Sequence, residues 1–388
     1  MRMQRSRPRE VSPLATTLAL TLSGLLVLAE VYVAIPLAPE IADSLGAGGG
    51  TALVGTAFSL AYAIGPLVFG PLSDRYGRKR VIVPGQVALA AATVAVALAP
   101  SFGALLALRA VQGIAAATFP PAALAYLGEV LPAPKRPAAI AAVTSAFLVA
   151  GILGQVYGGA LGSDWRLGFA LLAAAHLLTA GLLAVALIHR AGSLARASIA
   201  AALRPMLGLV RLPRLVLTSP ALLTLLFSFV VMYEALGPEL RQSYGLAEAD
   251  LLLVRMAGLP GMLLAPLAGP LVVRFGPGRI ASTGLAIGAL GLTAEAVAPN
   301  LAVLIAASGV FVAGIAAAAP ALNALVQAAA GEARGAAMAL YGFLLFCGAS
   351  LAPLANSALP VSFTALLAGT AGLLIVAAVC ARMAGEQT

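Results

Sequence analysis

The chain has 388 residues, of which 61% are hydrophobic and only 10% charged, too little polar surface to coat a water-soluble globule. That balance excludes a soluble enzyme and implies a polytopic membrane protein. The net charge of +9 is explained by membrane topology and attraction to anionic lipid heads, and gives no reason to invoke a nucleic acid partner.

Each bilayer crossing takes about 20 apolar residues, and hydrophobic runs broken by Gly, Pro or charge clusters recur at roughly twelve places. In chain order the predicted spans are 14–36, 50–72, 81–99, 103–127, 138–161 and 167–188, then 216–237, 251–273, 280–298, 301–325, 336–358 and 361–382. The basic stretch Met1 to Glu10 mimics the start of a signal peptide. Leu14 to Pro36 is too long for one and lacks a convincing cleavage site, so it reads as the first membrane helix.

The expected fold is an all-α polytopic membrane protein with 12 transmembrane helices in two pseudo-symmetric six-helix bundles. Its parts are a tail over 1–13, a first bundle over 14–188, a linker over 189–215, a second bundle over 216–382 and a tail over 383–388. The linker carries basic residues among Leu, Ile and Ala, and suits an amphipathic helix on the inner leaflet. Such a pair of bundles needs no second copy, so a monomer is expected.

Positive charge is retained on the cytoplasmic side. With the N-terminus inside, 19 of the 23 Lys and Arg fall in cytoplasmic tails and loops, whereas Arg166, Arg241 and Arg255 fall outside and Arg109 lies within a span. Both termini are therefore expected in the cytoplasm, of a bacterial inner membrane given 21 Arg against 2 Lys and abundant Ala. Cys347 and Cys380 sit in apolar runs and read as packing residues, with no disulfide or metal site.

Gly70-Pro71-Leu72-Ser73-Asp74-Arg75-Tyr76-Gly77-Arg78-Lys79-Arg80 forms a turn too short to cross the membrane. A degraded copy lies 199 residues downstream at Gly269 to Arg279, and Pro39-Glu40-Ile41 matches Pro238-Glu239-Leu240 at the same offset. The halves are a duplication, the organisation that lets one bundle rock against the other around a midplane site.

Gly70 to Arg80 resembles the signature of the major facilitator superfamily between its second and third helices. Arg109-Ala110-Val111-Gln112-Gly113 resembles the superfamily's fourth-helix arginine motif, and Glu129 with Pro132 and Arg136 its cytoplasmic end. Within the superfamily the chain is most similar to the twelve-helix drug:proton antiporters, whose fifth helix carries a Gly-Pro-x-x-Gly-Gly element associated with export. Here that element reads Gly154-Gln155-Val156-Tyr157-Gly158-Gly159, with Gln155 in place of the proline.

The resemblance implies a cytoplasmic gate formed by Gly70, Asp74, Arg75, Gly77, Arg78, Glu129 and Arg136, with Asp74 near the start of the eleventh helix and Arg78 reaching Glu129. The competing reading is that the hairpin arginines only enforce topology.

Glu30 and Arg109 are the most costly residues, since an ionised group near the bilayer centre costs about 2.5–3.5 kcal/mol on insertion scales. At 1.5 Å per residue each lies about 9 Å inside the outer end of its helix, so a buried pair is geometrically allowed. Glu30 is then the expected proton carrier, Arg109 its tuner, and Gln112, on the same helical face as Arg109, is available to substrate or to the pair. A static ion pair, or a Glu30 that snorkels outward, is the alternative.

Tyr62, Tyr233, Glu234, Asn323, Tyr341 and Phe346 are further candidates to line a substrate cavity, against the bland reading of packing residues and, for Glu234, of an interfacial acid. Glu295 and Arg255 read as interfacial, and His176, alone in the sixth span, as a packed neutral histidine. Together these features lead to a proton-coupled exporter of amphipathic small molecules, with protons as the coupling ion and no other cofactor. A proton-coupled importer of a sugar or other small metabolite is the alternative, and an intramembrane enzyme is disfavoured because His176 and His189 form no cluster.

Overall fold

The structure, a computed structural model, describes residues 12–162, 164–189, 208–209, 211–263, 265–330, 334–359 and 361–387. The tail 1–11 and most of the linker lie outside the described residues, and with them the expected amphipathic linker helix. The first half comprises α1 (Pro13–Tyr32), α2 (Ala34–Ser44), α3 (Thr51–Tyr76), α4 (Arg78–Ala97), α5 (Phe102–Ala116), α6 (Phe119–Val130), α7 (Arg136–Ala160) and α8 (Trp165–Ala186). The second comprises α9 (Pro213–Tyr244), α10 (Glu248–Met256), α11 (Leu259–Met262), α12 (Ala265–Phe275), α13 (Pro277–Ala296), α14 (Leu301–Ala329), α15 (Arg334–Ala358) and α16 (Phe363–Glu386).

Ten helical stretches among the described residues are long and apolar enough to cross a membrane. The two remaining crossings are α13 and the run α10–α12, where Gly258, Pro260 and Pro266 cut the expected span 251–273 into three pieces. The fourth span likewise breaks between α5 and α6, just before Pro120-Pro121.

Two spans run furthest past their expected ends. The first continues beyond Pro36: α1 passes through Val33 into α2, which holds Pro39 and ends at Ser44. Pro36 has no N–H to give the Tyr32 carbonyl, which accounts for the break, while the Val33 N–H still reaches the Ala29 carbonyl at 2.8 Å. The seventh, α9, extends to Tyr244 through Pro220 and Pro238.

The duplication is written in the backbone as well as in the residues. Gly77 (φ 95°) closes α3, and Gly276 (φ 86°), 199 positions later, closes α12; Gly46 (φ 70°) and Gly245 (φ 64°) form a second such pair. These left-handed conformations are where a Cβ is penalised, so glycine terminates the helices. Ser101 and Asn300, again 199 apart, cap α5 and α14 by accepting from the N–H groups of Ala104 (3.3 Å) and Val303 (3.0 Å).

The halves meet along α3 with α15 and α7 with α10. Thr56 Oγ1 donates to the Ser350 carbonyl at 3.0 Å, and the rings of Tyr62 and Phe346 lie 4.2 Å apart. Leu14, Leu18, Leu178, Val185 and Val376 are exposed, an apolar perimeter suited to lipid.

Within the first half, α7 lies tight against α1 and α2 because Gly154 and Gly158 leave room. A Cβ at Gly154 falls 2.7 Å from the Ala29 carbonyl oxygen, and one at Gly158 falls 2.5 Å from that of Val33. Gln155 between them is fully buried and donates to the Gly151 carbonyl at 2.8 Å, so α7 runs unbroken where a proline would have interrupted it. Gly158→Ala is expected to cost about 1–3 kcal/mol through overpacking, read as a lower melting temperature in detergent. Gly181→Ala, with nothing within 4 Å of its Cβ among the described residues, is expected to leave the melt unchanged or raise it.

Candidate functional site

Four helices of the first half direct polar side chains to one point. On α4, Gln86 and Thr93 are seven residues apart, two helical turns and hence one face; on α5, Arg109 and Gln112 are three apart; on α8, His176 and Thr179 are three apart. Glu30 of α1 stands among them. Glu30, Arg109, Gln112, Thr93 and His176 are all 0% exposed.

The carboxylate is solvated by protein in place of water. Glu30 Oε1 lies 3.0 Å from Thr93 Oγ1 and 3.1 Å from His176 Nε2, and Oε2 accepts from Gln112 Nε2 at 2.9 Å. Gln112 Nε2 also donates to Thr93 Oγ1 at 2.8 Å, while Gln112 Oε1 accepts from Arg109 Nη1 at 2.6 Å, so both ends of its amide are used. Thr93 has one hydroxyl hydrogen for two acceptors, Glu30 and the Leu89 carbonyl at 2.8 Å.

Arg109 stands off slightly from the acid, with Nη1 to Oε2 at 3.9 Å. Its Nη2 and Nε donate to the carbonyls of Glu30 and Val54 at 3.3 Å each, and its guanidinium lies 4.5 Å from the Phe58 ring centre. Cation–π contact and carbonyl dipoles help hold its charge. The two costly residues therefore meet, with Gln112 bridging them; Gln112 belongs to this buried network and does not line the cavity described below.

Gln86, Thr93, His176 and Thr179 complete a shell that was not expected around Glu30. His176 is not isolated: its Nε2 contacts Glu30, and its Nδ1 lies 2.9 Å from Gln86 Nε2, which also donates to Thr179 Oγ1 at 2.9 Å. The usable signal was a set of polar residues at helical spacing on otherwise apolar helices.

At the hairpin end Arg78 is the hub. Its Nε and Nη2 donate to Glu129 Oε1 at 3.1 and 2.7 Å, its Nη1 to Ser73 Oγ at 2.6 Å, and it pairs with Asp74 one turn back. Ser73 Oγ donates to the Gly70 carbonyl at 2.8 Å, and Lys79 Nζ to the carbonyls of Ala184 and Leu187 at 2.6 and 2.7 Å, capping α8. Arg136 Nε donates to the Leu131 carbonyl, and Arg75 lies over the Tyr76 ring. Residues 331–333, just before α15, lie outside the described ones, so the neighbour expected for Asp74 at the start of the eleventh helix is not seen.

At the opposite end a cavity of about 730 Å³ opens between the halves, lined among others by Glu40, Gly159, Tyr233, Glu234, Arg255 and Asn356. Glu234 is half-buried and its Oε2 accepts from Asn356 at 2.8 Å. Because α9 runs on to Tyr244, Glu234 lies about 15 Å from that helix end instead of the expected 5 Å. Arg255 (5% exposed) and Glu295 (1%) are also buried, against the interfacial expectation: Arg255 lies at the seam of the halves, beside Gly159 of α7 and Gly237 of α9, and Glu295 is enclosed on α13. Tyr62 and Phe346 pack on each other at the seam away from this cavity, Tyr341 donates to the Ala319 carbonyl at 3.4 Å, and Asn323 accepts from Gln327.

Known proteins match this arrangement. The family profile described as Major Facilitator Superfamily matches residues 20–257. The probable transporter SCO4007 of Streptomyces coelicolor is 31% identical over 279 residues, 68% of this chain and 62% of that protein. The multidrug export protein EmrB of Escherichia coli is 30% identical over 170 residues, 43% of this chain and 33% of that one. The chain thus spans less than two thirds of the length of these relatives. Among solved structures, a bacterial homologue of the human lysosomal transporter Spinster, inward-facing and occupied, superposes with a TM-score of 0.71 at 19% identity, covering 96% of each chain. The xylose transporter XylE from E. coli, partially occluded and inward-open, gives 0.72 at 17%, covering 95% of this chain and 98% of that one, a likeness of fold alone. With the profile covering more than half its length, the chain belongs to the major facilitator superfamily.

Proposed function

We propose that the chain is a proton-coupled exporter of amphipathic small molecules, working by alternating access in a bacterial inner membrane with both termini in the cytoplasm. The observation that carries this reading is the fully buried Glu30 carboxylate held by Thr93, Gln112 and His176 beside Arg109. As an anion it ties α1 to α4, α5 and α8 through charge-assisted bonds. A proton on Glu30 weakens those ties together, and α1 is the helix that continues into α2 at the cavity wall. Proton binding and movement of the cavity lining are coupled in this way.

The cavity offers Tyr233 as an aromatic wall and Glu234 as an acid for a cationic substrate. EmrB, a multidrug export protein, supports export over import. The positive-inside distribution supports a cytoplasmic hairpin end, where Arg78 with Glu129 and Asp74 acts as the gate. One proton moving down 100 mV supplies about 2.3 kcal/mol, enough for a useful gradient without nucleotide.

The decisive experiment is accumulation of fluorescent lipophilic cations in inside-out proteoliposomes under an acid-inside gradient. Wild type is expected to accumulate them and Glu30→Gln to lose gradient-dependent accumulation; retention of the wild-type rate in Glu30→Gln overturns the coupling role. In the same assay Arg78→Ala is expected to slow transport by about tenfold, since it removes Glu129, Asp74 and Ser73 from one hub. Arg75→Ala, with its side chain over Tyr76, is expected to stay within about twofold of wild type.

A further inference from the structure

Beyond Glu30 the network continues to a group the transport reading has not used. His176 Nδ1 faces the Gln86 amide, and Gln86 Oε1 is a fully buried oxygen without a hydrogen-bond partner among the described residues. With Gln86 Nε2 donating to Nδ1, the ring carries its proton on Nε2 and donates it to Glu30; these proton positions follow from the network as a whole. Turning the amide by half a revolution exchanges donor for acceptor at Nδ1. The turn also brings the oxygen to Thr179 Oγ1, whose hydroxyl then donates to it in place of the Ala175 or His176 carbonyl, and in each orientation the far end of the amide is unpaired. The protonation state of His176 decides between them.

We propose that His176 is a second proton-holding residue of the coupling site, with the Gln86 amide turning to accept from Nδ1–H when the ring is charged. The proton is delivered by hydronium from the acidic side, is added to Nδ1 and leaves water behind. The Nε2 proton stays between the ring and Glu30 Oε1, and the charge of the site rises by one. No bond to carbon changes, and Glu30 keeps all its donors, so the proton is stored as an imidazolium–carboxylate pair. Histidine suits this because its titration ordinarily falls between about pH 5 and 8.

The charged surroundings of the ring are few. From α1 it faces Glu30, with Arg109 of α5 3.9 Å from the far carboxylate oxygen; from α4 it faces the neutral Gln86 and Thr93. The charges of α4, Arg78, Lys79 and Arg80, sit at the hairpin end, where Lys79 binds carbonyls of Ala184 and Leu187. Arg166, at the other end of α8, donates to the carbonyls of Ala97 and Ala99. Where α2 meets α8, through Ser44 and Trp165, the acids Glu40 and Asp43 are exposed. Glu30 is thus the anion beside the ring.

The inference rests on the proposed function for its place in a transport cycle, but its test does not. The chain has two histidines, so His189→Gln leaves His176 as the sole ring to observe by nitrogen-15 NMR in lipid nanodiscs. The expected spectrum is a neutral ring protonated on Nε2 near pH 9 and a doubly protonated ring near pH 5. Glu30→Gln and Gln86→Met are each expected to need at least about tenfold more acid for the charged form, and Gln86→Glu, which keeps an acceptor, less acid than wild type. If Gln86→Met does not fold, by size exclusion and circular dichroism, Gln86→Glu decides. A ring that stays neutral to about pH 5, or a titration unmoved by these variants, overturns the proposal. If His176 titrates as stated while the wild type transports nothing under a proton gradient, the exporter reading fails and the assignment of His176 stands.

Discussion

A carboxylate cannot sit ionised in a dry interior unless the protein replaces its water, and the first half of this chain is arranged around that requirement at Glu30. Thr93, Gln112 and His176 supply donors from three helices, and Arg109 supplies countercharge at 3.9 Å. Removing one partner of a buried pair costs about 3–5 kcal/mol, so α1, α4, α5 and α8 are held in register by the acid as much as by apolar packing. The glycines of α7 matter for the same reason: they let a fifth helix close over α1 next to Glu30 without touching the network.

The duplication gave both halves the same turns and caps but not the same polar core. Gly77 and Gly276, Gly46 and Gly245, and Ser101 and Asn300 keep the shared scaffold. In the second half the corresponding charge is dispersed: Glu234 is tied to Asn356 at the cavity, and Glu295 is buried with both oxygens lacking a hydrogen-bond partner among the described residues. One half carries the organised ionic network, and the other contributes much of the cavity wall.

Helix count, hairpins, duplication and the pair Glu30 with Arg109 were legible in the sequence, because long apolar runs and rare buried charges stand out against an alanine-rich background. Helix ends were not. Proline at Pro36 and Pro238 marks an expected stop in water, but a helix can continue past it where packing against other helices contains the broken bond, as α2 and α9 do. The shell around Glu30 was hidden for another reason. Gln86, Thr93 and Thr179 are unremarkable one at a time, and a histidine with apolar neighbours in sequence looks isolated until α8 is laid beside α1.

The charged cluster around Glu30 also has an order in time. Glu30 and His176 are 146 residues apart, and at synthesis rates of about 5–20 residues per second the acid leaves the ribosome roughly 7–30 s before its histidine partner. Until Thr93, Arg109 and Gln112 follow, the first helix is in or near the membrane with an unmatched carboxylate, and its shell is complete only when His176 arrives. Its stable insertion therefore depends on helices that do not yet exist, and the whole first half is the smallest piece of the nascent chain able to shelter its own charge.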